Sequence, residues 1–425
     1  MIFMQKWFKQ ILVHLAGLSF AVLCCYSCKN SRDEQNQKLD EETYIYPVEN
    51  RSQGYAAMSR LFATDSLLYM SWVEQIDSLA ILKYATLDGS TWSEVETIAE
   101  GTDWFVNWAD FPQIAVNNGY IFTHYLQKSA PDTYAYDVMY MLKNVDSGEW
   151  SEPRKLHTDS TQSEHGFVSV IPFKDGFMAS WLDGRTTVNR PDSLKQMTLR
   201  AGIINVDGSL GKQWELDDRV CDCCNTAITN TANGPVVVYR DRSDDEIRDI
   251  SIVRMDSTDI WTKPKTVYKD NWKINGCPVN GPAVSHSKGQ TRISWFTASK
   301  NEPRVEYAYT LDDGLDFGIP APLTAMGSAI GRVDMSTDKL GNSYVIFMDK
   351  GVWYASLRLH TSDKNGRSII NSDLVSISAE RASGFPQIAV FKEYLYISYT
   401  DADTDSSAIK MIRIPLDQVE FLKRR

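Results

Sequence analysis

Phe111–Val116 reads FPQIAV, and Phe385–Val390 reads FPQIAV again without a change. Each copy leads within a few residues into a strand-like run ending in an aromatic, YIFTHY at Tyr125 and YLYISY at Tyr399. The same run recurs as LLYMSW ending at Trp72, FMASW at Trp181, PVVVY at Tyr239, RISW at Trp295 and YVIF at Phe347, so successive aromatics stand 52 to 58 residues apart. A short strand precedes the run, as in GPAVSHS or GRVDMST, and a polar loop with an alternating strand follows, as in ISIVRM or RVEYAYTL. A tight Asp/Gly/Ser turn then leads to Trp and a fourth strand, as in STWSEVETI, EWSEPRKL and IWTKPKTV. Four short antiparallel strands per repeat of about 50 residues predict an all-β, seven-bladed β-propeller.

The seventh unit stops after IKMIRIPLDQVEF, whereas Tyr44–Glu49 reads as a strand with no blade of its own. A ring shut by its own N-terminal strand leaves no open edge, so Tyr44–Glu49 is expected to pair with Ile409–Ile414. A six-bladed ring with one atypical repeat is the alternative.

The 425 residues are 43% hydrophobic and 23% charged, with 12 Trp, 20 Tyr and 16 Phe, which suits a large core and excludes a disordered chain. A net charge of -11 argues against a nucleic-acid partner, which needs a basic surface to displace counterions. A local basic pocket for a small anion is compatible with it.

The N-terminus reads as a targeting segment. Lys6 and Lys9 precede ILVHLAGLSFAVL, an apolar run the length of a signal-peptide core and short for a membrane span. It ends in CCYSC, where Ser27 followed by Cys28 resembles a bacterial lipoprotein acylation site; Cys24 or Cys25 is the alternative acceptor, and a cleaved secretion signal the plainer reading. The expected order is a lipoprotein signal peptide over 1–28, a polar tether over 29–43 and the propeller over 44–425. This places the protein in the cell envelope, lipid-anchored and extracytoplasmic, where cysteines tend to pair.

The turns between third and fourth strands carry a resemblance. TLDDGLDF (Thr310–Phe317) is similar to the Asp box, Ser/Thr-x-Asp-x-Gly-x-x-Trp/Phe, of bacterial neuraminidase repeats; RMDSTDIW (Arg254–Trp261), TLDGSTW and NVDSGEW are looser relatives. In such a turn the Asp caps amides, Gly supplies a positive φ and the aromatic pins the turn to the blade. CDCC, YRDRSDDEIRDI and GCPVNGPA also resemble a bacterial family of secreted sialidase-like, neuraminidase-repeat proteins, most specifically over Cys221–Ala283. The resemblance implies binding, and in an enzymatic version hydrolysis, of an acidic glycan. Sialidases have six blades, an early Phe/Tyr-Arg-Ile-Pro motif, three arginines on the substrate carboxylate and a Tyr/Glu/Asp catalytic set. This chain counts seven repeats and has SRLF around Arg60 instead.

Propeller topology sends the Asp-box turns to one face, and the second-to-third-strand loops with the linkers entering each blade to the other. CDCC, RDRSDDEIRD and GCPVNGP are all of the second kind and should share one sector of the pore mouth. Cys221, Cys223, Cys224 and Cys277 allow three pairings; a bond from Cys223 or Cys224 to Cys277 would staple blade four to blade five. The alternative is a thiolate site for zinc or cuprous copper, with His165 as a further ligand.

Arg240, Arg242 and Arg248 interleave with Asp241, Asp244, Asp245, Glu246 and Asp249. Such a run forms either a self-neutralising brace or an arginine clamp for a carboxylate or sulfate, with Asp241, Asp244 or Glu246 as acid or base. Arg60, Arg185 and Arg332 fall near the same face and would extend a cationic ring. His124 and His165 read as structural, and Asn280 as a turn residue. No Walker loop, GxSxG or HExxH is present, so no cofactor is expected. Three readings follow: a sialidase-like propeller for acidic glycans or another small anion, a non-catalytic carbohydrate- or protein-binding surface module, and a soft-metal protein built on the cysteines.

Overall fold

The computed structural model describes residues 44–191, 194–310, 314–351, 353–402 and 407–424. The expected leader and tether, with Cys24, Cys25 and Cys28, lie outside them, as do residues 311–313 of the blade-five turn. The described chain forms seven separate four-stranded antiparallel sheets, a seven-bladed propeller.

The inner strands of the blades are Tyr55–Ala63, Ile114–Asn117, His165–Phe173, Ala227–Thr231, Ala283–Ser287, Ala329–Thr337 and Gln387–Phe391. Each touches the next around the ring, and the last returns to the first. They enclose a narrow axial channel of about 100 Å³ lined by Arg60, Gln113, Ser169, Thr226, Asp334 and Gln387 among others. Closure follows the predicted pairing, with Tyr46 opposite Arg413 and Pro47 opposite Ile412. Tyr44 and Ile45 pack on the core beneath blades six and seven.

The second strands are buried on both faces because each sheet is covered by its neighbours, which explains why they read as apolar runs. Their terminal aromatics Trp72, Tyr125, Trp181, Tyr239, Trp295 and Phe347 are buried between blades, and Tyr399 is half-buried. The turns on the far face are capped as expected: Asp88 Oδ1 accepts the amides of Ser90 and Thr91 at 2.9 Å each, and Asp256 Oδ1 those of Thr258 and Ile260 at 2.8 and 3.1 Å.

The inner strands of blades one, three and six share a device that re-aims backbone toward the pore mouth. Each breaks register beside a non-glycine residue at positive φ, Met58 at 58°, Phe167 at 54° and Arg332 at 54°. The Phe167 amide then donates to Asp110 Oδ1, and the Arg332 amide to Asn280 Oδ1, both at 2.7 Å. Asp110 and Asn280 hold matching places, one residue before Phe111-Pro112 and Gly281-Pro282. In blades three and six the residue before the bulge must be glycine, whereas blade one has Ala57 there: a Cβ on Gly166 would stand 2.0 Å from Asp110 Oδ2, and one on Gly331 2.3 Å from Asn280 Oδ1.

Candidate functional site

Three loops meet at the mouth of blade four. Val220 bridges to Asp241, Ile247 bridges to Lys273, and the Cys221 amide donates to the Arg240 carbonyl at 3.1 Å. CDCC, the arginine loop and the linker into blade five therefore form one sector.

The sulfurs of Cys221, Cys223 and Cys224 lie within 4.8 Å of one another, and Cys277 adjoins Cys223. All four are free thiols, so the expected bond from Cys223 or Cys224 to Cys277 is not formed. The turn after Cys221 folds Cys224 back beneath it, and the two buried sulfurs stand 3.6 Å apart, well beyond bonding distance. Cys277 stays exposed. Contacts from Cys223 and Cys224, reinforced by Arg248 and Arg240, hold the Cys221 thiol well below its ordinary range.

The six arginines singled out in the sequence are engaged inside the protein. Arg240 is buried and bonded to three backbone carbonyls. Arg242 reaches Glu246 at 2.7 Å, and Arg248 bridges Glu246 at 2.9 Å to the Cys221 sulfur at 3.2 Å. Arg185 forks onto Asp183 with two bonds of 2.7 Å. Arg332 is buried over Trp108 and bonds the Glu380 and Gly384 carbonyls at 3.0 and 3.1 Å. Arg60 lines the channel, bonded to Gln387 and 3.7 Å from Asp334. Of the six, only Arg240, Arg242 and Arg248 belong to the cysteine sector, and none of the six is arranged as an open carboxylate clamp.

The carboxylates of the same loop serve it. Asp241 accepts from Ser251 at 2.8 Å, and burial raises its pKa. Asp244 is exposed and paired with Arg219. Glu246 sits at φ 62°, and bonds from Arg242 and Arg248 lower its pKa, so it stays ionised at neutral pH.

Next to this sector, across Asp222, lies a group that the sequence reading did not single out. Tyr136 Oη donates to Glu164 Oε1 at 2.8 Å and lies 3.3 Å from Asp110 Oδ2. Burial pushes Asp110 up to about 8, with the Glu164 charge adding to it, and burial pushes Glu164 up to about 7. Asp110 is sealed and works as a protonated counterpart of Asn280, whereas Glu164 is partly exposed and reachable. The available signals were the position of Asp110 directly before FPQIAV and of Glu164 directly before His165.

His165 is not a partner of the sulfurs. It stacks on His157 at 3.6 Å and bonds Asp159 at 3.1 Å, in a buried network with Asp137, Asp183 and Arg185. Burial would lower its pKa, but Asp159 and Asp183 outweigh that and hold it above the usual imidazole range. His124 is a neutral core residue that burial drives down to about 3.

A groove of about 540 Å³ opens on the same face at blade six, lined by Lys350, Trp353, Tyr354, Ser378, Glu380 and Asp401 among others. Trp353 and Tyr354 are 87% and 71% exposed, so their rings stand free in solvent.

No family model and no curated protein matches the sequence. Among solved structures, the chain is similar to a polysaccharide lyase of PL25, an ulvan lyase bound to -[GlcA(1-4)Rha3S]-, with 9% identity over 87% of this chain and 96% of that one, at a TM-score of 0.55. It is likewise similar to polysaccharide lyase Uly1, with 9% identity over 89% and 94% of the two chains and a TM-score of 0.52. The phage phi92 endosialidase aligns at 10% identity over 90% of this chain and 70% of that one, with a TM-score of 0.48. At such identities the likeness is one of fold.

Proposed function

We propose that this chain is a lipid-anchored propeller of the cell envelope, attached through Cys28, that binds acidic glycan chains on the face carrying the blade-entry loops. The carrying observation is the pair of solvent-exposed aromatics, Trp353 and Tyr354, beside an open groove. A flat ring held out in water is an unsatisfied apolar surface, and the apolar face of a pyranose covers it while the sugar hydroxyls reach Ser378, Glu380 and Asp401. Lys350 is the cation among the groove's described lining residues and would favour a uronate or sulfate. Sialidase chemistry is not part of the reading, because the arginines that would grip the substrate are spent on carbonyls and carboxylates of the protein itself.

The test is retention on immobilised polysaccharides, neutral and acidic. The chain should be retained, and Trp353→Ala with Tyr354→Ala should weaken binding at least tenfold, the factor carried by about 1.4 kcal/mol. Unchanged retention in the double variant overturns the groove reading. Loss of membrane association in Cys28→Ser tests the anchor.

A second reading, turnover of the glycan, is favoured by Glu164. A reachable carboxyl held to about 7 beside a tyrosine hydroxyl can give or take a proton at neutral pH. Cleavage abolished by Glu164→Gln with retention unchanged supports it; retention without any cleavage by the unmodified chain rules it out.

A further inference from the structure

We propose that Cys221, Cys223 and Cys224 hold one cuprous ion as thiolates, with Cys277 at the exposed edge as the sulfur through which the ion enters and leaves.

Geometry carries the inference first. Sulfurs that share one ion at about 2.3 Å must stand about 3.7 to 4.0 Å from one another. The Cys221 and Cys224 sulfurs are 3.6 Å apart, and all three lie within 4.8 Å of one another. The Cys221–Cys224 pair is brought close to that spacing without being bonded, with the Cys223 sulfur within 4.8 Å of both.

The surroundings are built to support charge on sulfur. Arg248 Nη1 approaches Cys221 Sγ at 3.2 Å, and the Asn280 amide is aimed at Cys224 Sγ at 3.4 Å. Both donors sit on held residues: Arg248 is bonded to Glu246 at 2.9 Å, and Asn280 is fixed from its other side by Arg240, which donates to the Asn280 carbonyl at 3.0 and 2.9 Å. Supporting bonds of this kind orient thiolate ligands and tune the metal they bind. The arginine loop, which reads in sequence as a brace or as a clamp for an external anion, turns Arg248 onto a sulfur and keeps the Arg240 charge close by. Three thiolates and one cuprous ion leave two negative charges, toward which Arg248 contributes by direct contact and Arg240 by its nearby charge.

The donor set selects the ion. It is sulfur alone, since His165 is bound elsewhere to Asp159, and such soft thiolates suit cuprous copper as well as zinc, so the number of converging sulfurs decides between them. Structural zinc takes four ligands, whereas only Cys221, Cys223 and Cys224 lie within 4.8 Å of one another and Cys277 touches the group through Cys223 alone, at the exposed edge. Each thiol that becomes a ligand releases its proton. The copper enters already reduced, so no electron is transferred.

The experiment uses the full-length chain with Cys24, Cys25 and Cys28 changed to Ser, purified without oxygen. Cuprous copper is titrated in competition with a bicinchoninate chelator, free thiols are counted, and sulfur coordination is read by X-ray absorption. One copper per chain is expected, with sulfur neighbours at about 2.3 Å. Cys223→Ser, at a half-buried position that tolerates a hydroxyl, should weaken binding at least about 100-fold, and Arg248→Gln about 10- to 100-fold. Cys277→Ser should bind the ion but exchange it more slowly. Absence of binding, equal affinity in Cys223→Ser, displacement of copper by equimolar zinc, or isolation of the four cysteines as two disulfides would each overturn the proposal. The glycan reading is independent of all these outcomes.

Discussion

Replacing Arg240 distinguishes a brace from a binding clamp. Arg240 is 2% exposed, and its guanidinium makes four bonds to three carbonyls: Nε and Nη2 to Asn280 at 3.0 and 2.9 Å, Nη1 to Arg248 at 2.6 Å, and Nη2 to Phe296 at 2.7 Å. It also lies 5.0 Å from the centre of the Trp272 ring. Arg240→Ala leaves three buried carbonyls without a donor, each costing about 1 to 3 kcal/mol. Water entering the space recovers part of this, so a net loss of about 3 to 6 kcal/mol is expected. Lys offers a point charge rather than a planar fork and cannot address three carbonyls at once, so Arg240→Lys should lose about half as much. Urea unfolding followed by tryptophan fluorescence gives both values. A change under about 1 kcal/mol in Arg240→Ala, a value typical of surface sites, accompanied by loss of glycan retention, would refute the brace and restore the clamp.

Asp110→Asn tests the buried proton. Asp110 and Glu164 keep protons in the folded chain, with values near 8 and 7, that the unfolded chain releases near 3.8 and 4.5. Stability should therefore fall as pH rises from about 4 to about 8, by up to about 1.4 kcal/mol per pH unit per group, and Asp110→Asn should remove one group's share of that slope. An unchanged slope in unfolding measured at pH 5, 6.5 and 8 counts against a protonated Asp110. Gly166→Ala drives a Cβ to 2.0 Å from Asp110 Oδ2 and should cost about 1 to 3 kcal/mol; a melting temperature equal to the parent's would show that the contact relaxes freely. Deleting 44–49 uncovers the edge of Ser407–Pro415 and removes the Tyr44 ring contact with Phe421 at 5.6 Å. Self-association in light scattering is expected, and a monomer with unchanged melting would contradict closure by this strand.

The repeat was legible because a propeller blade buries the same positions seven times. FPQIAV and the aromatic-ended strands lie where neighbouring sheets press together, so their identity is fixed by packing and survives as a period in the chain. Closure by Tyr44–Glu49 could be read from the same count, since seven inner strands and one missing outer strand favour it over the six-bladed alternative, and the structure shows the pairing. Loop positions followed from topology, which placed the cysteines beside the arginine loop. The partners of the charged side chains did not follow. Arg240 reads as part of a brace or clamp and Arg332 as part of a cationic ring, yet a positive φ at Arg332 and the carbonyls converging on Arg240 make both internal. Backbone carbonyls leave no mark in a sequence, so a residue that serves them looks identical to one awaiting a ligand. The same blindness hid Asp110, whose neutral state depends on burial and on its likeness in place to Asn280. What the sulfurs share with these residues is the opposite circumstance. Their nearest donors are Arg248, which Glu246 already anchors, and the amide of Asn280, whose own carbonyl Arg240 holds, and both still point at sulfur, so part of the positive charge gathered in this sector is directed to the sulfurs.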